Sequence, residues 1–182
     1  MAIAKKKKRF YKIQLPLIRK ETELIALDIK ELKNKHIKYD MTRLLKGKSM
    51  VLTFKTKFEG EELIAKPVES RLLPYYLKRM VRRGTNYIED SFSTESKDSI
   101  IRIKPFLVTR KKVSRAVRKA LRNKAKEELI IWAKENTSEV MFEDILRNKM
   151  QKELSLKLKE IYPLSLCEIR VLKVEKYLTE KK

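Results

Sequence analysis

Apolar residues recur along this chain at two spacings, and the switches between them mark its elements. Over residues 50–58, Met50, Leu52, Phe54 and Phe58 alternate with Val51, Thr53, Lys55 and Lys57, the period of a half-buried strand. Gly47 supplies a turn before this strand, and Gly60 marks a hairpin into a partner over 62–66. Weaker alternation over 10–15, closed by Pro16, suits an edge strand entering the fold. A second apolar run, 24–29, leads into a polar connection that holds the only histidine, His36, and 39–45 fits a helical turn or a strand equally well. Residues 87–92 and 99–108 are rich in β-branched and aromatic residues, and the turn-prone STESKD separates them as two strands. Residues 166–174 read as a last strand whose neighbours are non-local and not named by the sequence.

Helical spacing takes over in three places. Ser70 is a candidate cap for a helix that tolerates Pro74 in its first turn and ends at Gly84, with Leu73, Tyr76, Leu77, Met80 and Val81 on one side. Lys78, Arg79 and Arg82 lie opposite, and Arg82 and Arg83 fall where they complement the helix dipole. Tyr75 projects to the basic side, where its ring either stacks on a base or covers the core margin. In residues 110–126, RKKVSRAVRKALRNKAK, Val113, Ala116, Val117, Ala120 and Leu121 gather on one side of a helix. Arg115, Arg118, Lys119, Arg122 and Lys126 gather on the other, with Lys124 the one cation on the apolar side. Thr109 and Ser114 are alternative caps, and the apolar EELIIWA that follows carries the same helix into the core. Ser138 can cap a further helix bearing Phe142, Ile145, Leu146 and Met150, and Leu154, Leu158 and Ile161 continue a helical stripe until Pro163 breaks it.

Charge changes the picture from fold to function. The chain has 182 residues, 46 of them Lys or Arg against 24 Asp or Glu, for a net charge of +22. That much like charge in a compact body repels itself, so a polyanionic partner is expected. The excess is uneven: residues 1–126 carry 35 basic and 13 acidic residues, whereas 127–182 carry 11 of each. Nine of the seventeen residues of 110–126 are Lys or Arg, and no acid occurs anywhere in 99–126. A face that serves solubility alone mixes both signs, so this one is expected to bind nucleic acid. The neutral remainder is expected to complete the core or meet protein. A basic run at the start, Lys5, Lys6, Lys7, Lys8 and Arg9, is expected to be disordered alone and to settle against phosphates when bound.

Catalytic constellations are hard to assemble from one His, one Cys and three Gly. There is no glycine-rich phosphate loop, no CxxC and no His pair for zinc, so no cofactor, no metal and no enzyme activity are expected. Cys167 reads as a small buried hydrophobe rather than a nucleophile beside His36. Neighbouring acids such as Glu61 and Glu62, Glu89 and Asp90, or Glu143 and Asp144 point apart on a strand or helix and read as surface charge. No run approaches the roughly 18 apolar residues that cross a bilayer, and the basic start lacks the apolar run of a secretory signal. A soluble, cytoplasmic protein in a reducing compartment is expected.

Three blocks carry a resemblance to a known family: KRMVRRGTNYIEDSF over 78–92, KPFLVTRKKVSRAVRKALR over 104–122 and IYPLSLCEIRVLKVEK over 161–176. In this order they resemble the archaeal and eukaryotic small-subunit ribosomal protein family S3Ae, across roughly residues 10–174. The resemblance implies an α+β fold, with a twisted or barrel-like antiparallel sheet and packed amphipathic helices. It also implies a place on the platform of the small subunit, near the messenger exit and the 3′ region of the ribosomal RNA. The expected partners are small-subunit ribosomal RNA, neighbouring platform proteins and messenger RNA near the exit, with no membrane and no small-molecule substrate. The expected organisation is a basic tail over 1–9, a single α+β domain over 10–176 and a short charged tail over 177–182. Charge geometry, not the family, picks the RNA-binding residues: Lys5, Lys6, Lys7, Lys8, Arg9, Lys78, Arg79, Arg82, Arg83, Arg110, Lys111, Lys112, Arg115, Arg118, Lys119, Arg122 and Lys126. The competing class is a non-ribosomal nucleic-acid binder, a chromatin protein or RNA chaperone, which the charge fits equally well.

Overall fold

The computed structural model describes residues 7–59 and 62–178, which form nine strands and four α-helices, an α+β fold. The chain divides into two compact units, one from residues 1–39 and 53–68, the other from 40–52 and 69–182.

In the first unit, β1 (Arg9–Leu15) pairs antiparallel with β2 (Lys20–Ala26) from Arg9↔Ala26 to Leu15↔Lys20. The tight link between them is a 3₁₀ turn begun by Pro16 and ended by Arg19 in the left-handed region, φ 51°. The edge-strand expectation for 10–15 is therefore corrected: β1 also meets β5 (Glu62–Leu72) in parallel at Gln14↔Ile64, so β2 is the edge. Pro16 falls just after the strand, where its missing N–H deprives the ladder of nothing. His36 does not sit in a connection either, because it opens β3 (His36–Asp40), which pairs with β4 (Met50–Glu59). The expected alternation of β4 is observed as far as Thr56: Met50, Leu52, Phe54 and Thr56 are buried and Val51, Thr53 and Lys55 are not, while Phe58, expected on the core face, is only half-buried. Thr56 is the polar exception on the core face, and its hydroxyl donates to the Leu32 carbonyl and accepts from the Lys35 N–H. Ile13, Leu15, Leu32 and Ala65 close this core. A side-chain bond links β2 and β3, Lys20 Nζ donating to Tyr39 Oη at 3.0 Å, and among the described residues no backbone pairing joins these two strands, so the sheet is not closed. The hairpin expected at Gly60 lies outside the described residues, as do Lys5 and Lys6.

The second unit is organised on β8 (Ser99–Thr109) and β9 (Leu164–Tyr177), the partner that the sequence left unnamed. They pair antiparallel from Ser99↔Tyr177 to Thr109↔Leu164, with a register shift at Lys104/Pro105 that accommodates the proline's missing donor. β9 pairs on its other side with the end of β5, Ser70 opposite Leu172. Ser70 is thus a strand residue, not a helix cap: the waiting ladder of β9 overrides the local capping signal. The helix begins only at Pro74, as α1 (Pro74–Met80), and stops before Arg82 and Arg83, which occupy the turn that Gly84 completes at φ +84°. The strand expected over 87–92 is two: β6 (Tyr87–Glu89) and β7 (Phe92–Glu95), both against β8.

The basic segment becomes α2 (Arg115–Glu135), capped by Ser114, whose hydroxyl accepts from the Val117 N–H. The helix does run on into the core, where Leu121, Ala125, Leu129, Trp132 and Ala133 are buried. The 138–150 helix is broken: α3 (Ser138–Leu146) and α4 (Lys149–Leu158) flank Asn148 in the left-handed region, φ 56°, and Met150 belongs to α4. Asn tolerates that conformation because its short polar side chain bonds locally. Here it instead accepts from Lys48 Nζ at 2.6 Å.

Candidate nucleic-acid interface

The site grows from a polar knot at the end of β8. Thr109 is fully buried and does not cap α2; its N–H donates to the Asn86 carbonyl at 2.9 Å, and its hydroxyl accepts from the Asn86 N–H at 3.0 Å. Asn86 Oδ1 in turn accepts from the Val113 N–H at 2.8 Å. These bonds fasten the loop of Arg110, Lys111 and Lys112, all exposed, beside the start of β6. They also fix where α2 begins, with Arg115 and Tyr87 in one lining.

The first turns of α2 are not packed as their apolar spacing suggests. Ala116 and Ala120 are exposed and Val113 and Val117 only half-covered, so Leu121 is the first residue to reach the core. Small side chains in these turns bury too little area to hold them down. On the other side, Arg115, Arg118, Lys119 and Arg122 join Tyr87, Ile88 and Asn123 around a hollow of about 480 Å³ that contains no carboxylate. Among the described residues, none of these four cations is in an ion pair. Arg118 is half-buried, and its Nε is shut off from solvent with no hydrogen-bond partner. Such an atom costs stability until an acceptor relieves the guanidinium it belongs to. The first turn of α2 has no acid either, so Arg115 and, a turn on, Arg118 stand near the positive end of the helix dipole, where anions are favoured and cations are not. Four cations without an ion pair among the described residues make this a surface of concentrated positive charge.

The other sequence-picked cations among the described residues lie in several places. Lys78 lines an adjoining hollow of about 410 Å³ with Pro74, Leu77, Tyr87 and Phe106. Because Tyr87 lines both hollows, Lys78 of α1 and the α2 cluster flank one aromatic residue. Arg79 lies over the Tyr76 ring, 5.7 Å from its centroid, and Arg82 and Arg83 are exposed in the following turn. Lys126 sits further along α2 over Phe92, at 5.7 Å, and Lys124 leaves the apolar side to pair with Glu128 at 3.2 Å. Lys7, Lys8 and Arg9 belong to the first unit, Lys7 and Lys8 before β1 and Arg9 already its first residue. Tyr75 is 55% exposed with no ring contact among the described residues, whereas Tyr87, which the periodicity marks only as a strand residue, lines a hollow beside each of the two basic elements. Asn86, Thr109 and Tyr87 were missed because their roles depend on β6 lying against β8, a pairing across twenty residues.

No group of three or more His, Cys, Asp or Glu is placed to hold a metal among the described residues. Burial, reinforced by the neighbouring Glu168 charge, pushes the Cys167 thiol up to about 12, which leaves it protonated. No helix among the described residues is long and apolar enough to cross a membrane.

The family model for the Ribosomal S3Ae family matches residues 4–177. The chain belongs to the ribosomal S3Ae family. Its relatives include the small ribosomal subunit protein eS1 of Methanothermobacter thermautotrophicus, 27% identical over 90% of this chain and 88% of the relative. The protein of the same name from Saccharolobus islandicus is 27% identical over 94% of this chain and 86% of its own length. That of Nanoarchaeum equitans is 28% identical over 59% of this chain and 55% of its own. The matched stretch of this S3Ae member takes in all four cations of the cleft, together with Tyr87 and the Asn86–Thr109 knot.

Proposed function

We propose that the chain is a structural constituent of the small ribosomal subunit that binds small-subunit ribosomal RNA through phosphates seated on α2 and α1. The observation that carries this is the α2 hollow, four cations without a carboxylate or an ion pair among the described residues. Family membership and relatives named for the small subunit support the setting. The platform, near the messenger exit and the RNA 3′ region, is the location we assign, with the neutral C-terminal third meeting neighbouring proteins. Recognition is of backbone and shape, because Lys and Arg side chains do not reach base edges in the deep, narrow major groove of A-form RNA.

Neutralising phosphates releases counterions, so affinity must fall with salt. If six to ten phosphates are engaged, raising salt from about 50 to about 200 mM should weaken binding of the free protein to small-subunit RNA by roughly 10³- to 10⁵-fold. A filter-binding series that stays flat across that range would sink the mechanism. The second test changes Arg115, Lys119 and Arg122 together to Glu, sparing the half-buried Arg118 so that the fold is kept. On a sucrose gradient of cell lysate the wild-type chain should travel with small subunits and the variant should stay at the top, with unchanged circular dichroism. Wild-type protein that runs with chromatin or remains at the top would instead favour a free nucleic-acid binder.

A further inference from the structure

Tyr87 is an anomaly for a surface that only grips phosphates. It is 56% exposed on an edge strand of three residues and shares a lining with the basic residues of α2. One face of the ring is backed by Phe106, with centroids 6.0 Å apart and planes 19° from parallel, and Phe106 itself is 3% exposed. The ring is therefore packed against a buried neighbour while more than half of the residue stays exposed. An aromatic face carries the negative lobe of its quadrupole and has nothing to offer a phosphate. It does suit the flat face of a nucleobase, and a ring already fixed by packing loses little freedom when a base lands on it. Bases inside a duplex are stacked on one another and closed to such a ring, so the geometry selects an unpaired base.

The surroundings fit the rest of a nucleotide. Arg115, Lys119 and Arg122 follow one another along the same side of α2 over about 10 Å and border the hollow that Tyr87 also lines. Asn123, in the same lining, is exposed and makes no side-chain hydrogen bond among the described residues, so its amide is free for a base edge or a ribose hydroxyl.

We infer that Tyr87 is a stacking platform for an unpaired RNA base, with the flanking phosphates held by Arg115, Lys119 and Arg122. This rests on the phosphate-binding reading above and adds that the RNA at this point is single-stranded. The test compares Tyr87→Phe with Tyr87→Leu in the full chain, because Leu still covers Phe106 but cannot stack as a ring does. A short oligoadenylate and an RNA duplex of equal charge serve as probes. Tyr87→Phe should bind both as wild type does, whereas Tyr87→Leu should lose roughly ten- to a hundredfold on the oligoadenylate alone. An independent reading uses wild-type protein and an iodouridine-bearing oligoribonucleotide, whose ultraviolet cross-link should map to the Tyr87 peptide. Equal loss on both probes, no loss on either, undetectable oligoadenylate binding or cross-links only elsewhere would each overturn the stacking role. Such a result leaves the phosphate reading standing as long as the Arg115, Lys119 and Arg122 charge reversal still weakens both probes, so the two failures are told apart.

Discussion

Lys48 has only 9% of its side chain exposed, and its ammonium meets Glu168 Oε2 at 2.7 Å and Asn148 Oδ1 at 2.6 Å. Gln151 adds a bond from its amide to the Ile145 carbonyl at 3.0 Å, so the loop before β4, the break between α3 and α4, and β9 share one buried polar cluster. A buried pair of this kind adds little net stability, but removing one partner strands the other charge in a poor solvent. Glu168→Ala should therefore destabilise the protein by about 3–5 kcal/mol in urea unfolding, while the double change Lys48→Met with Glu168→Leu should recover most of that loss. Asp98 is a second node, accepting from the N–H and hydroxyl of Ser138 and from the hydroxyls of Ser96 and Ser99. Burial alone, the largest single influence, would push its carboxyl up; the combined hydrogen bonds outweigh it and hold the group below the usual carboxylate range. A depressed native value means that this stabilisation is whole above the ordinary Asp range and is lost as pH falls through the lowered value. Urea midpoints measured from about pH 5 down to about pH 2 should fall less steeply for Asp98→Asn than for wild type. Neither node is legible in sequence: no local pattern singles out Lys48 or Glu168, and only a fold that brings together residues 120 positions apart buries them.

Among the elements, α2 is one helix in two environments. Its second half is held by Leu129, Trp132 and Ala133, while its first two turns rely on the Ser114 cap and on little buried area. Crowding cations at the positive end of the dipole weakens those turns further. Amide hydrogen exchange should show residues 115–120 opening well before 125–133 in the free protein, and RNA should protect the first group selectively. Ser114→Ala should cost about 1 kcal/mol and quicken that opening. The existence and basic side of α2 were legible because a 3.6-residue period survives any neighbour. The expectation that Ala116 and Ala120 pack was not met, since periodicity says which residues share a side and not whether another element covers it. The same limit explains Ser70: a local cap signal lost to a strand ladder supplied by β9, whose residues lie a hundred positions further on.

At the scale of the molecule, the uneven placement of +22 is the fact that composition made plain, and the S3Ae blocks turned it into an expectation about RNA. The sequence by itself determined the class of secondary structure, the uneven positive charge and the basic helix that carries much of it, because charge and short-range periodicity are written locally. Only the tertiary structure decided that α1 and α2 flank Tyr87, that Thr109 ties a loop rather than capping a helix, and that Arg118 is left half-buried with an unpartnered nitrogen. Each of those depends on β6 lying against β8 and β8 against β9. Strand pairing is set by backbone hydrogen bonds common to every residue, so the choice of partner is made by how the whole core closes and not by any single stretch of side chains.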